Sequence, residues 1–453
     1  MHFRREEIDS FHATGYEFDQ ASGKIQLRYE LSGPGGVSYT FCECIELGCP
    51  IDLDPSRDQA FDRVVRLLHM AAGTSYYKAA APGIVHIDSG PLSPAELAFV
   101  TDLYDKGLRE FAYTNGIPIP LAVEVRADIE ALRPVTDGAP VSGIGIPIGG
   151  GKDSIVVVEA LRDLNPVLVC VNPSPAALRT AHTSGLALAS VKRTIDTKLL
   201  ELNDAGALNG HVPITAIISL ICVLAGYAFD YSTTVMALEG SADEPTRVID
   251  GVEVNHQWSK SGECEVELRD ALAGITAGIA YGSTLRDLSE LEIAGAFAQL
   301  PRYFHEFRSC NKNFSLTGPV DGWCNDCPKC RFVFLMLATQ LGPADLESIF
   351  GADLLSRADQ APGFIDLLEI GRKPFECVGT REESTDAFIE LSRSPEWAGS
   401  VVVQRVKPYV EGAIKSQTVR LSPAQVFESV RATVRSLTAG SASILDPGGL
   451  RSA

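Results

Sequence analysis

A chain of 453 residues, 45% hydrophobic and 21% charged with no long biased tract, has the material for two or three globular domains of about 150 residues each. Its formal charge of −19 repels phosphate backbones, which argues against a nucleic-acid partner, tRNA included. The N-terminus, MHFRREEIDS, has charges where a secretory leader needs an apolar stretch, so the chain reads as cytoplasmic.

Residues 17–47 alternate apolar and polar positions around Gly-Pro-Gly-Gly, the pattern of a small antiparallel sheet. An amphipathic helix follows with Phe61, Val64, Val65 and Leu68 on one stripe. A second is opened by Ser93-Pro94-Ala95-Glu96, a capping box with proline in the first turn. Between them, GTSYYKAAAPG reads as a loop presenting Tyr76, Tyr77 and Lys78. These elements make an N-terminal α+β domain over 1–132. A linker rich in Pro, Gly, Ser and Asp fills 133–143.

From there strands and helices alternate. GIGIPI and PVLVCVN read as strands, Asp153 to Leu164 as a helix, and TTVMAL as a further strand. The longest apolar run, Pro213 to Phe229, is short for a bilayer span and contains Thr215, Ser219 and Gly226, so it reads as a buried core helix. The expected fold class is therefore α/β, a doubly wound parallel sheet over 140–340. In such sheets ligands sit at the carboxyl ends of strands, where Gly149 to Ser154, Asn172 and Glu239 all fall. A C-terminal helical extension is expected over 341–440, and 441–453 reads as a disordered tail.

The segment Gly149-Gly150-Gly151-Lys152-Asp153-Ser154 follows a strand and opens a helix. Glycines there let backbone amides approach a phosphate and deliver its charge to a helix N-terminus. It is not a Walker A motif, since Ile146 and Asp153 stand where Gly and Ser or Thr are required. Gly143-Ile144-Gly145 fails as a dinucleotide fingerprint, with Ile148 at the third glycine. The segment resembles the S-G-G-x-D-S loop of the PP-loop ATP pyrophosphatases, with Gly149 in place of the serine. The resemblance implies an adenine-nucleotide alpha-hydrolase type of sheet, cleavage of ATP to AMP and pyrophosphate, Mg²⁺ placed by Asp153, and phosphate contacts from Lys152 and Ser154.

Eleven cysteines are an odd number and read as thiols or metal ligands. Cys324, Cys327 and Cys330 share a spacing of three, and Cys310 supplies a fourth ligand for a closed structural zinc site. A ferredoxin-type cluster needs a cysteine at 334, which is Phe334. The arrangement resembles the zinc site of the 7-cyano-7-deazaguanine synthases.

Two donor-rich segments lie between loop and cysteines, 255–263 and 283–294. The first holds His256 and Lys260, a proton exchanger and an anion holder. Farther on, Glu376 and Cys377 sit in a turn, KPFECVG. Taken with NGHVP at 209–213, SELEIA, FRSCN and WCNDCPKCRF, these segments resemble the MurL-type UDP-N-acetylmuramoyl-L-alanyl-L-glutamate epimerases over roughly 140–385. That resemblance implies inversion of the terminal L-glutamate of UDP-MurNAc-L-Ala-L-Glu through an acyl-adenylate. ATP and Mg²⁺ would be required, with His256 and Cys377 exchanging the α-proton and Lys260 or Arg286 holding the enolate oxygen. Two other readings stand beside it: a PP-loop ligase or thiolase of the deazaguanine or tRNA-modification type, and a noncatalytic sugar-nucleotide sensor. Oligomeric state is left open.

Overall fold

Strand β1 (Ser10–Asp19) pairs antiparallel with β2 (Lys24–Gly33), and β2 with β3 (Val37–Glu46), as the alternating pattern requires. The computed structural model describes residues 3–310, 312, 322–368, 373–413 and 419–443. β4 (Ile84–Ile87) and β5 (Glu124–Arg126) extend this meander in parallel beyond β1. The remaining strands are β6 (Ile144–Pro147), β7 (Val167–Val171), β8 (Leu188–Thr194), β9 (Thr233–Met236), a short hairpin of β10 (Arg247–Ile249) and β11 (Val252–Val254), and β12 (Ala280–Ser283). β12, β9, β6, β7 and β8 pair in parallel, in that order.

One sheet runs through the chain. β3 pairs antiparallel with β8, with Ile45 opposite Arg193, and the whole order is β12-β9-β6-β7-β8-β3-β2-β1-β4-β5. Beside that pairing, Arg193 donates from Nε to Glu43 Oε1 at 2.7 Å and from Nη2 to Glu43 Oε2 at 3.2 Å, with both side chains buried. A two-point guanidinium–carboxylate contact fixes direction as well as distance, so it sets the register of the seam.

Both faces of the parallel part are covered. On β7, Val169 joins the core shared with helices Pro55–Tyr77, Pro94–Asp105, Ile214–Phe229 and Gly262–Ile275. Leu168 and Cys170, facing the other way, join the core of helices Lys152–Leu161, Glu290–Phe297, Pro328–Ala338 and Pro423–Ser443. This period of two explains why β7 reads as an unbroken apolar run. After β6 the chain winds to β7 and β8 with its helices on the second face. It then returns past β6 to β9 and β12 with helices on the first. Strand order therefore reverses between β6 and β9, and in open sheets of this kind ligands bind outside the carboxyl ends of the strands at such a reversal.

The long apolar run is the helix Ile214–Phe229, buried from Ala216 to Tyr227 apart from Ile218. Among the described residues no helix is long and apolar enough to cross a membrane. The capping box at Ser93 and Glu96 forms as expected. Tyr76 and Tyr77 depart from expectation. They close the helix Pro55–Tyr77 and are buried among Phe11, Tyr29 and Phe41, because the Gly-Thr-Ser before them continues the helix into a packed core. Lys78 is its C-cap and donates to Asn209 Oδ1. The Gly143-Ile144-Gly145 repeat is a packing feature: a Cβ at Gly145 would stand 2.4 Å from the Tyr231 ring. The helix Pro423–Ser443 enters the tail, and positions 444–453 lie outside the described residues.

The Glu43–Arg193 pair yields a test. Glu43→Ala leaves a buried guanidinium uncompensated and is expected to cost about 3–5 kcal/mol, whereas the double change Glu43→Leu, Arg193→Met costs far less. Urea unfolding of the two variants measures this; equal losses would show that the seam does not depend on the pair.

Candidate functional site

β6 ends beneath the glycine loop. Gly150 has φ +89, and a Cβ there would lie 2.7 Å from the backbone of Ala176 and Ala177, so conformation and space both demand glycine. Gly149, where the PP-loop pattern has serine, has nothing within 4 Å of a Cβ, so a side chain is sterically allowed. Gly151 is the N-cap of helix Lys152–Leu161 and no side chain caps it. Amides at such a helix start are ready partners for an anion. From the C-terminal side, Arg308 N donates to Gly150 O at 2.8 Å.

Lys152 is completely buried and turns inward, pairing with Asp153 Oδ1 at 2.5 Å and with Glu290 Oε2. Burial works against its charge, but Asp153 and Glu290 outweigh burial and hold the ammonium above the ordinary lysine value. Burial pushes the Glu290 carboxyl up to about 7 against the pull of Lys152. For Asp153 the order is the reverse: burial opposes ionisation, yet Lys152, Lys329 and Lys260 together bring it below the usual range. Glu290 opens the helix Glu290–Phe297, and its N–H donates to Glu383 Oε1 at 2.7 Å. The SELEIA segment flags the region in sequence, but nothing local singles out Glu290.

The other expected nucleotide residues are spread around this centre. Ser154 Oγ donates to Gly151 O at 3.1 Å within the first turn. Asn172, at φ +50, closes onto the backbone of Arg193, accepting from its N–H at 2.9 Å and donating to its carbonyl at 2.8 Å. Glu239 is buried at the end of β9, where its carbonyl accepts from Arg286 Nη1 at 3.0 Å. Arg286 Nη2 also pairs with Glu265 at 2.7 Å.

A second cluster brings three segments together. Lys260 Nζ donates to Cys377 Sγ at 3.2 Å, and His256 bonds to Cys377 on one side and to Glu110 Oε2 through Nδ1 on the other. The His211 ring stands 4.4 Å from that of His256, and its Nδ1 is 3.8 Å from Glu110. Burial alone would raise the Cys377 thiol; Lys260 and His256 overcome it and bring the group down to about 6. Burial likewise disfavours a charged His256, but Cys377 and Glu110 raise it to about 9. His211 is driven the other way, to about 3, by burial and by His256. The surroundings therefore favour the ionised form of Cys377 and the protonated form of His256 together, and the neutral form of His211. Glu110 is invisible to motif reading because it comes from the short N-terminal helix Arg109–Thr114, remote in sequence from its partners.

The clusters share one electrostatic neighbourhood, since Lys260 is under the influence of Asp153 and Glu239 as well as Cys377. Around the carboxyl ends of β9 and β12, Ser241 Oγ, Thr284 Oγ1, Gln257 Oε1 and Glu290 Oε1 are buried without a hydrogen-bond partner. An unsatisfied buried polar atom costs about 1–3 kcal/mol, so a row of them fits a polar ligand that completes the bonds. Uncapped helix amides over a glycine cradle suit an anion such as a phosphate.

The cysteine cluster forms as one body. Cys310 Sγ lies 3.9 Å from Cys327 and Cys324 Sγ 3.7 Å from Cys330, with all four sulfurs within 4.8 Å of one another. Zinc with four thiolates at about 2.3 Å requires sulfurs about 3.8 Å apart, so the set fits that ion.

A model of the MurL N-terminal domain matches residues 2–284, and a model of the MurL C-terminal domain matches 306–420. The chain belongs to the MurL family. This MurL chain is 44% identical over 411 residues to the UDP-N-acetyl-alpha-D-muramoyl-L-alanyl-L-glutamate epimerase of Salinispora tropica, covering 87% of its own length and 88% of the relative. The enzyme of the same name from a Micromonospora species is 44% identical over 88% of this chain and 90% of the relative. That of Xanthomonas oryzae pv. oryzae is 36% identical over 94% and 95%. No solved structure gives a significant match.

The Cys377 environment makes a pH prediction. Alkylation by iodoacetamide, followed at the Cys377 peptide by mass spectrometry, is expected to reach half its maximal rate near pH 6, because the thiolate forms there. Lys260→Met moves the midpoint upward, toward the free-thiol value of about 8.5. A parent midpoint at that free-thiol value would refute the ion-pair description.

Proposed function

We propose that this chain inverts the terminal L-glutamate of UDP-MurNAc-L-Ala-L-Glu to D-glutamate in peptidoglycan precursor synthesis. The name shared by its relatives supplies the substrate. The observation that carries the chemistry is the cluster in which Lys260 donates to Cys377 at 3.2 Å and Glu110 holds His256 through Nδ1, with Asp153 of the glycine loop acting on the same Lys260.

Removing the α-proton of a free carboxylate sets a second negative charge beside the first. ATP supplies the remedy when bound: adenylation of the carboxylate, with pyrophosphate departing, neutralises that charge and gives an acyl-adenylate whose enolate is accessible. On this reading the glycine-loop amides hold the phosphates and Asp153 holds Mg²⁺. Lys152 neutralises Asp153 and Glu290, and so fixes the loop without itself reaching a phosphate. Lys260 is the donor for the developing enolate oxygen. Cys377 as thiolate takes the α-proton and His256 as imidazolium returns one to the opposite face, a step in which the α-carbon must enter between the two groups and part their hydrogen bond. Glu110 keeps His256 charged and oriented through Nδ1. Water then releases AMP and the inverted product.

In deuterated buffer with UDP-MurNAc-L-Ala-L-Glu, ATP and Mg²⁺, deuterium is expected at the glutamate α-carbon of the product. Cys377→Ala is expected to reduce incorporation by about 100-fold or more, the usual weight of a positioned acid–base group. D-glutamate formed without label would overturn the proton-exchange mechanism.

A further inference from the structure

Among the described residues, buried cations find hydrogen-bond or ion-pair partners with one exception. Among the described residues the buried ones are Arg63, Lys78, Lys152, Arg193, Lys329 and Lys373. Arg63 pairs with Glu96, Lys152 with Asp153 and Glu290, Arg193 with Glu43, and Lys373 with Glu244. Lys78 donates to Asn209 and to the carbonyl of Gly210. Lys329 is 7% exposed, and among the described residues it has no hydrogen-bond or ion-pair partner; its Nζ stands 5.5 Å over the Phe332 ring. A ring face compensates a buried ammonium weakly compared with an anion.

Its place in the fold says what surrounds it. Lys329 lies in the first turn of helix Pro328–Ala338, between Cys327, the N-cap, and Cys330, so the cysteine cluster fixes its backbone. Its charge reaches Asp153 and Glu290 beneath the glycine loop, and Cys377 and Glu376 beyond it. The uncapped start of helix Lys152–Leu161 stands beside the segment that enters the cysteine cluster: Arg308 N donates to Gly150 O at 2.8 Å, a Cβ at Gly151 would lie 2.9 Å from Ser309 Oγ, and Cys310 follows as one of the four clustered sulfurs. Helix amides and a partnerless ammonium brought to one place are the two halves of a phosphate site.

We propose that Lys329 is a nucleotide-phosphate ligand: the cysteine knuckle carries it into the glycine-loop crevice, where it binds a phosphate oxygen of ATP opposite the helix amides. This rests on the proposed ATP-dependent reaction and adds to it a specific job for the metal site. The cysteine cluster, on this reading, shapes the nucleotide pocket as well as tying down the C-terminal part of the chain.

The experiment is calorimetric titration of Mg²⁺ and α,β-methylene-ATP into the full-length parent, Lys329→Gln and Lys329→Arg, with zinc content and thermal unfolding measured on each. Lys329→Gln is expected to weaken nucleotide binding by about tenfold or more while keeping zinc and its unfolding temperature, and Lys329→Arg to recover most of the affinity. Nucleotide affinity unchanged in Lys329→Gln, with or without loss of zinc, would overturn the assignment and leave Lys329 a neutraliser of the thiolates. Weakened binding of UDP-MurNAc-L-Ala-L-Glu with unchanged nucleotide affinity would overturn it in favour of a carboxylate partner. A parent protein that binds no nucleotide would instead remove the ATP-dependent reaction on which this inference stands.

Discussion

A buried ammonium cannot stand without counter-charges, and Lys152 meets that constraint by joining two helix starts. Its partners are Asp153, beside it on helix Lys152–Leu161, and Glu290, first residue of helix Glu290–Phe297. The pairing closes the crevice floor where strand order reverses between β6 and β9. With Lys152 anchored below, its charge is spent on Asp153 and Glu290, and no side chain caps the helix start above it. Glu290 in turn receives the capping-box glutamate Glu383 on its N–H, so a C-terminal helix is tied to the same point.

From that floor the site draws on the length of the chain. Glu110 comes from the N-terminal α/β layers, His211 and His256 from loops on either side of β9, Cys377 from a turn beyond the cysteine cluster. Their charge states are mutually dependent: Lys260 and His256 keep Cys377 ionised, while Glu110 and Cys377 keep His256 protonated. Two neighbouring groups pushed in opposite directions from their ordinary values are what an acid–base pair working near neutrality needs. The continuous sheet makes this possible, because the β3–β8 seam holds the N-terminal layer, and Glu110 with it, rigidly against the parallel strands.

Much of the parallel half is legible in sequence, since β6, β7 and β9 are short apolar runs followed by turns and the glycine loop falls between strand and helix. The cysteine spacing likewise announces its cluster, because ligands for one ion are held close in the chain. What sequence conceals is long-range pairing. Nothing near β3 says that it meets β8, and nothing near Lys152 says that its partner lies 138 residues away at Glu290. Glycine misleads as well. Gly73 looks like a break before Tyr76, yet it is small because a Cβ would stand 2.7 Å from the Tyr104 hydroxyl inside a packed helix. Asn172 looks like a ligand group at a strand end, but its side chain is taken up by the Arg193 backbone.

The most direct test of the account is a single incubation of the full-length protein with UDP-MurNAc-L-Ala-L-Glu, ATP and Mg²⁺, in which AMP, ADP and the chirality of the terminal glutamate are determined together. The account predicts D-glutamate with at least one AMP and one pyrophosphate for each inversion. D-glutamate appearing with the nucleotide untouched, or with ADP and orthophosphate, would contradict it.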